Sequence, residues 1–132
     1  RPMASFPNVS RILLKSAMRN AAATSALQQD MAATFLRFYL NVTAASGSGG
    51  LQVVLRGYDK VSGKAVELTQ AVASVTTTGT WVWEVNSSNV PSNPFGSVKQ
   101  VDCRSIPYQW DAIVKHLDSS SYTYSLSVEI SS

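Results

Sequence analysis

His116 is the sole histidine of this 132-residue chain. Drawn together with Asp111, Asp118 and one of the many serines, it would complete a Ser-His-Asp arrangement for nucleophilic catalysis. Such a triad needs a serine on a strained turn and an acid that orients the imidazole. The chain holds no Gly-x-Ser-x-Gly elbow, and nothing in the spacing selects one serine over another. His116 therefore reads as the end of a strand. One histidine and one cysteine cannot complete a common zinc site without several carboxylates or a second subunit, so no metal is expected. The eight acids are scattered. An acid–base pair such as Glu67 with Glu84 would have to be assembled by the fold.

Three further groups can be weighed in the same way. Ser46-Gly-Ser-Gly-Gly50 lacks the Lys-Ser/Thr of a phosphate-binding loop and precedes a strand, so it reads as a turn. Cys103 is followed by Arg104, a neighbour that favours thiolate, yet a passive thiol is the simpler reading. Trp81 and Trp83 could stack on sugar rings if they stood on an exposed sheet face; otherwise they fill a core. No cofactor is expected from any of these patterns.

The bulk properties set the frame. Apolar residues make up 45% of the chain and charged ones 14%, a balance that suits an all-β module. The length fits one domain with a real core. No apolar run approaches the roughly 20 residues that span a bilayer. A lone cysteine excludes an intramolecular disulfide, and the sequons at Asn8, Asn41 and Asn86 carry little weight in a Ser/Thr-rich chain. The net charge of +3 is uneven: residues 1–29 hold Arg1, Arg11, Lys15 and Arg19 and no acid, while the remainder has seven bases against eight acids. Four charges without interleaved aromatics are a weak footprint for nucleic acid.

The elements that must position these groups are strands. From Tyr122 to Ile130, Tyr122, Tyr124, Leu126, Val128 and Ile130 alternate with Thr123, Ser125, Ser127 and Glu129, giving one apolar and one polar face. Similar alternation marks Phe35–Thr43, Leu51–Arg56, Val66–Val72, Thr80–Val85 and Tyr108–Lys115. Turns fall at residues 46–50, at Asp59-Lys-Val-Ser-Gly63 with Gly63 at positive φ, at Thr76-Thr-Thr-Gly79 and at Asp118-Ser-Ser-Ser121. Residues 87–107, with Pro91, Pro94, Gly96 and Pro107, read as a long functional or interface loop, and Val98 and Val101 are left out of the strand count. Six strands joined by short turns predict an antiparallel β-sandwich, jelly-roll-like or immunoglobulin-like, over residues 34–132. Residues 1–33 form a separate N-terminal zone, either a short amphipathic helix with Arg11, Lys15 and Arg19 on one face or an extended arm that orders on a partner. Its Arg- and Ser-rich, acid-poor composition also fits a transit segment.

Thr43-Ala-Ala-Ser-Gly-Ser-Gly-Gly-Leu51, Val54-Leu-Arg-Gly-Tyr-Asp-Lys-Val-Ser-Gly-Lys64, Thr78-Gly-Thr-Trp-Val-Trp83 and Ser119-Ser-Ser-Tyr-Thr-Tyr-Ser-Leu-Ser-Val128 together resemble a family of small structural proteins of tailed bacteriophages. The resemblance covers roughly residues 35–130 and lies in turns and strands. It implies a head decoration or cement protein: a non-enzymatic β-sandwich or jelly-roll, often trimeric, that bridges major capsid protein subunits on the capsid exterior after assembly in the host cytoplasm. Neither membrane nor nucleic acid is then a partner. Residues 1–33 lie outside the resemblance and are expected to reach a neighbouring subunit. The candidate contacts are Arg1, Phe6, Arg11, Ile12, Leu13, Lys15 and Arg19, with Phe95 from the long loop. The competing readings are a carbohydrate-binding module using exposed tryptophans and a hydrolase using His116.

Overall fold

The computed structural model of the chain describes residues 9–29, 33–70, 74–86, 99–103 and 106–131. Among these described residues all ten elements are strands: β1 (Val9–Arg19), β2 (Ala23–Thr24), β3 (Gln28–Gln29), β4 (Phe35–Ala45), β5 (Leu51–Tyr58), β6 (Ala65–Gln70), β7 (Gly79–Asn86), β8 (Lys99–Cys103), β9 (Gln109–His116) and β10 (Tyr122–Ser131). They form two sheets packed as a β-sandwich. The first runs β1-β10-β4-β7-β8, and the second β2-β9-β5-β6, with β3 also pairing β9. All pairs are antiparallel except β7–β8.

Alternation builds the interior. Tyr122, Tyr124, Leu126, Val128 and Ile130 of β10 are all 0% exposed, and Leu36, Phe38, Leu40 and Val42 of β4 lie buried beside them. Leu51, Val53 and Leu55 of β5 and Trp110, Ala112 and Val114 of β9 close over them from the second sheet. Phe38 stacks on Trp83 at 5.1 Å between ring centroids and meets Trp110 edge-on at 5.9 Å, so one aromatic cluster joins the sheets. The expectation that the tryptophans of Thr80–Val85 fill the core holds for Trp83, which is 4% exposed, while Trp81 is half-buried against the same cluster.

Most connections cross from one sheet to the other. β4 leads to β5 through residues 46–50, where the chain passes between layers instead of closing a hairpin. That passage is clamped to the turn before β10. The amide of Gly49 donates to Asp118 Oδ2 at 2.7 Å, the amide of Gly50 donates to the Tyr122 hydroxyl at 2.9 Å, and the Ser46 hydroxyl donates to the Ser121 carbonyl at 2.8 Å. Gly50 has φ of 91°, and a Cβ there would lie 2.9 Å from the Val75 carbonyl oxygen, so a side chain is refused on two grounds. The β5–β6 connection is a true hairpin. Gly63 takes positive φ (72°) as expected, and the Gly63 amide donates to the Asp59 carbonyl.

Four strands lie where none was counted. Val9–Arg19 is neither the expected helix nor an arm ordered on a partner but a strand of the sandwich itself, pairing β10 from Val9↔Ile130 to Arg19↔Tyr122, and Ala23–Thr24 and Gln28–Gln29 pair β9. A helix there would leave one edge of β10 bare beside an apolar face that must be sealed. Lys99–Cys103 forms β8, parallel to β7, in a stretch left out of the strand count. If β10 is the central beam and the outer face of β1 contributes no packing, Leu126→Ala should cost about 2–5 kcal/mol by urea unfolding. Ile12→Ala should then change stability by less than about 0.5 kcal/mol.

Candidate functional site

β1 is the rim of the first sheet, and among the described residues no strand pairs with its outer edge. Its register on β10 gains a residue between Ile12 and Leu14 and another between Leu14 and Ala17, the mark of β-bulges. The first irregularity lets both Leu13 and Leu14 pack against the core. Side chains opposite the polar positions of β10 point away from the core. Ile12 faces Ser127 and is 72% exposed, and Met18 faces Thr123 and is 71% exposed. Lys15, Ser16 and Ala17 between them are exposed as well.

Of the candidate contacts, Arg11, Ile12, Leu13, Lys15 and Arg19 thus come together on one strand, though with unequal freedom. Leu13 belongs to the core margin. Arg11 donates from Nη1 to Gln28 Oε1 at 2.8 Å, tying β1 to β3 of the second sheet. Arg19 plugs the bulged region. Its Nη2 donates to the Lys15 carbonyl at 2.7 Å, its Nη1 to the carbonyls of Tyr124 at 2.9 Å and Ala17 at 3.3 Å, and its guanidinium lies 4.8 Å from the Tyr124 ring centroid. A bulge frees carbonyls from the ladder, and the planar fork collects them. Arg1, Phe6 and Phe95 lie outside the described residues.

The outer face of the first sheet continues inward from this rim. Ile12, Ser127, Tyr39 and Val82 make one row across four strands, and Ser10, Glu129, Arg37 and Glu84 the next. Arg37 bridges two carboxylates, from Nε to Glu84 Oε2 at 2.7 Å and from Nη1 to Glu129 Oε1 at 3.0 Å, and lies over the Phe35 ring. The Tyr39 hydroxyl also donates to Glu129 Oε1. Those two donors hold the Glu129 carboxyl below its ordinary range, the tyrosine contributing most, and the bond to Glu84 raises the guanidinium pKa. Phe35, Arg37, Glu129, Ile130 and Ser131 line a shallow cavity of about 190 Å³ here. The spacing of acids along the sequence gave no sign of this cluster, because its members come from three strands more than forty residues apart.

The residues that could be drawn as a triad are not together. Asp111 faces outward on the second sheet, where it accepts both Arg56 Nε at 2.8 Å and Nη2 at 2.7 Å and the Tyr58 hydroxyl at 2.6 Å. Asp118 serves the turn at Gly49. Glu67 pairs with Lys115 on the second sheet, far in the fold from Glu84 on the first, so no carboxylate pair forms. His116 sits between the sheets: its Nε2 is 2.8 Å from the Tyr124 hydroxyl, its ring meets Tyr122 edge-on, and its buried Nδ1 has no partner among the described residues. Burial lowers its pKa, the nearby Arg19 charge adds to this, and Asp118 opposes it. Among the described residues no group of three metal-ligating side chains occurs, and the side chain of Cys103 lies outside them. The exposure that sugar stacking requires is absent at Trp83 and partial at Trp81, whose indole nitrogen is buried.

Comparison with known proteins finds no family model and no curated protein that matches this chain.

Two measurements test this geometry. Arg19→Ala should lower stability by about 1–3 kcal/mol in chemical unfolding, and Arg19→Lys should recover little of it, since an ammonium cannot span three carbonyls. The depressed His116 pKa means that the unfolded chain binds this proton more readily than the folded one. Stability should therefore fall as the pH drops through about 6.5, the ordinary histidine value. The loss in melting temperature between pH 7.5 and 5.5 should be smaller in His116→Gln.

Proposed function

We propose that the protein is a non-enzymatic virion component, a decoration or cement protein that binds the outside of a tailed-phage capsid and bridges neighbouring major capsid protein subunits. It acts as a homo-oligomer, a trimer in keeping with the family it resembles, and assembles on the shell in the host cytoplasm. Membrane and nucleic acid play no part in this role. The observation that carries the reading is the rim strand β1, with Ile12 and Met18 both about seven-tenths exposed on one long edge. Large apolar side chains exposed together on an edge strand are a liability unless a partner covers them. The fold adds support of a general kind. The potential catalytic groups are dispersed, and the charged clusters on both outer faces are bonded within themselves, as suits a module that presents a rigid surface.

Co-sedimentation with capsid shells that lack this protein tests the reading. Deleting everything before Thr34 would remove β1 along with Leu13 and Leu14, so point variants are the sounder probe. The unaltered chain should bind saturably, and Ile12→Asp with Met18→Asp should weaken binding at least about tenfold while leaving the melting temperature within a few degrees. Absence of binding by the unaltered chain, or undiminished binding by the double variant, would overturn the proposal.

A further inference from the structure

We infer that His116 is a protonation latch: on gaining a second proton its ring leaves Tyr124 for Asp118, and the passage that carries the chain from β4 to β5 loosens while the core holds. The inference goes beyond the shell-binding reading and does not depend on it.

The ring has no acceptor for a second proton where it stands. It is half-buried against two tyrosines of β10, with its centroid 5.6 Å from that of each ring. Its Nε2 lies 2.8 Å from the Tyr124 hydroxyl, while its Nδ1 is shielded from water and meets no partner among the described residues. Neutral imidazole can leave Nδ1 bare, with the Nε2–H donating to the hydroxyl. Imidazolium carries an N–H at both nitrogens, and the one at Nδ1 would be charged, buried and unpaired.

Two charges set the direction in which the ring moves. The Arg19 guanidinium covers Tyr124 at 4.8 Å from the ring centroid, and Asp118 stands on the other side, accepting the Tyr122 hydroxyl at 3.1 Å. Beyond burial, which lowers the His116 pKa most, these are the charges that bear on it: Asp118 raises the value and Arg19 lowers it. The other neighbours bring no free charge. Leu51 faces His116 on β5, Tyr124 stays protonated with burial pushing its pKa up to about 12, and Lys115 is paired with Glu67. An imidazolium is therefore repelled from the Tyr124 side and drawn to the Asp118 side.

Asp118 cannot take the ring without giving something up. Its Oδ2 accepts the Gly49 amide at 2.7 Å and its Oδ1 the Ser120 amide at 3.2 Å. The Tyr122 hydroxyl is split between both oxygens at 3.1 and 3.3 Å, and the Ser48 amide draws on the same carboxylate. A carboxylate offers about four such places, so a newcomer displaces one of them. The divided Tyr122 hydroxyl is the loosest, and it is also the acceptor of the Gly50 amide at 2.9 Å. The fit leaves no slack: a Cβ on Gly47 would lie 2.5 Å from both Asp118 Oδ2 and the Tyr122 hydroxyl, so movement of either is passed to the passage. The Gly49 amide above all holds the Asp118 carboxyl below its ordinary range, which keeps it charged at the pH where His116 gains its proton.

Nuclear magnetic resonance on the full chain tests the latch by following the His116 ring together with single amides, their exchange corrected for its intrinsic pH dependence. As the pH falls from about 7.5 to about 5, across the ordinary histidine value, the Gly50 amide should lose protection at least about tenfold in step with the ring titration. The amides of Leu126 and Val128 should keep theirs. Cross-relaxation between the His116 and Tyr124 rings should vanish, and that with Tyr122 should persist. In His116→Gln the Gly50 loss should shrink to within about twofold. Unchanged Gly50 protection, an equal loss in His116→Gln, or loss at Leu126 and Val128 together with Gly50 would overturn the inference. So would a ring that titrates and keeps its Tyr124 contacts, a result that the unaltered chain gives even if the variant fails to fold.

Discussion

The structure depends on sealing one face of β10. Five side chains from Tyr122 to Ile130 are fully withdrawn from water, and a strand can hide them only with a strand on each side and a sheet underneath. β4 supplies one side, β1 the other, and β5 with β9 the layer below. Each fully buried aliphatic or aromatic side chain of this size is worth about 1.5–3 kcal/mol relative to exposure, so the strand that completes the seal is not optional. That constraint places β1 at a rim. A strand recruited to cover a neighbour has no neighbour of its own among the described residues, and the same packing that fixes Leu13 and Leu14 inward turns Ile12 and Met18 out.

Charge plays a second role, as a lock on register. Each sheet carries on its outer face a guanidinium bound to a carboxylate directly across the ladder: Arg37 with Glu84 and Glu129 on the first, Arg56 with Asp111 on the second. Asp111 is 1% exposed, so its charge has to be met by partners, and it is met by a bidentate guanidinium and a tyrosine hydroxyl. Slipping β5 on β9 by one residue would move Arg56 to the other face and strand that carboxylate. The apolar layers drive the sheets together, and these pairs make neighbouring registers costly.

Alternation made the central strands legible, because a period of two survives wherever a strand is regular and buried on one side. Gly63 and the core position of Trp83 follow from the same rules. β1 was ambiguous for a specific reason. Bases four residues apart share a face on a helix and also on a strand, so Arg11, Lys15 and Arg19 could not separate the two. The bulge then produces the doublet Leu13-Leu14, which breaks strand alternation and resembles the start of a helical stripe. β8 is short and lies parallel to its neighbour after a Pro-rich stretch, so nothing local announces it. The Arg19 plug and the Arg37 bridge were not legible, since Tyr124, Glu84 and Glu129 come from strands remote in sequence, and the His116 environment was not, because Tyr122 and Tyr124, though near in sequence, meet it from the facing sheet.

The rim strand also shows how an exposed edge can be restricted without being closed. Bulges and a charged residue discourage edge-to-edge pairing, and β1 uses both through its two irregularities and Lys15. Arg19 goes further and withdraws two carbonyls from any incoming strand. These devices are concentrated in the C-terminal half and leave Val9–Ile12 regular. An edge with no partner would gain from the same protection along its whole length, because an open ladder invites association with any strand. Protection confined to one half instead leaves Val9–Ile12 as a short regular segment on the open side of the strand.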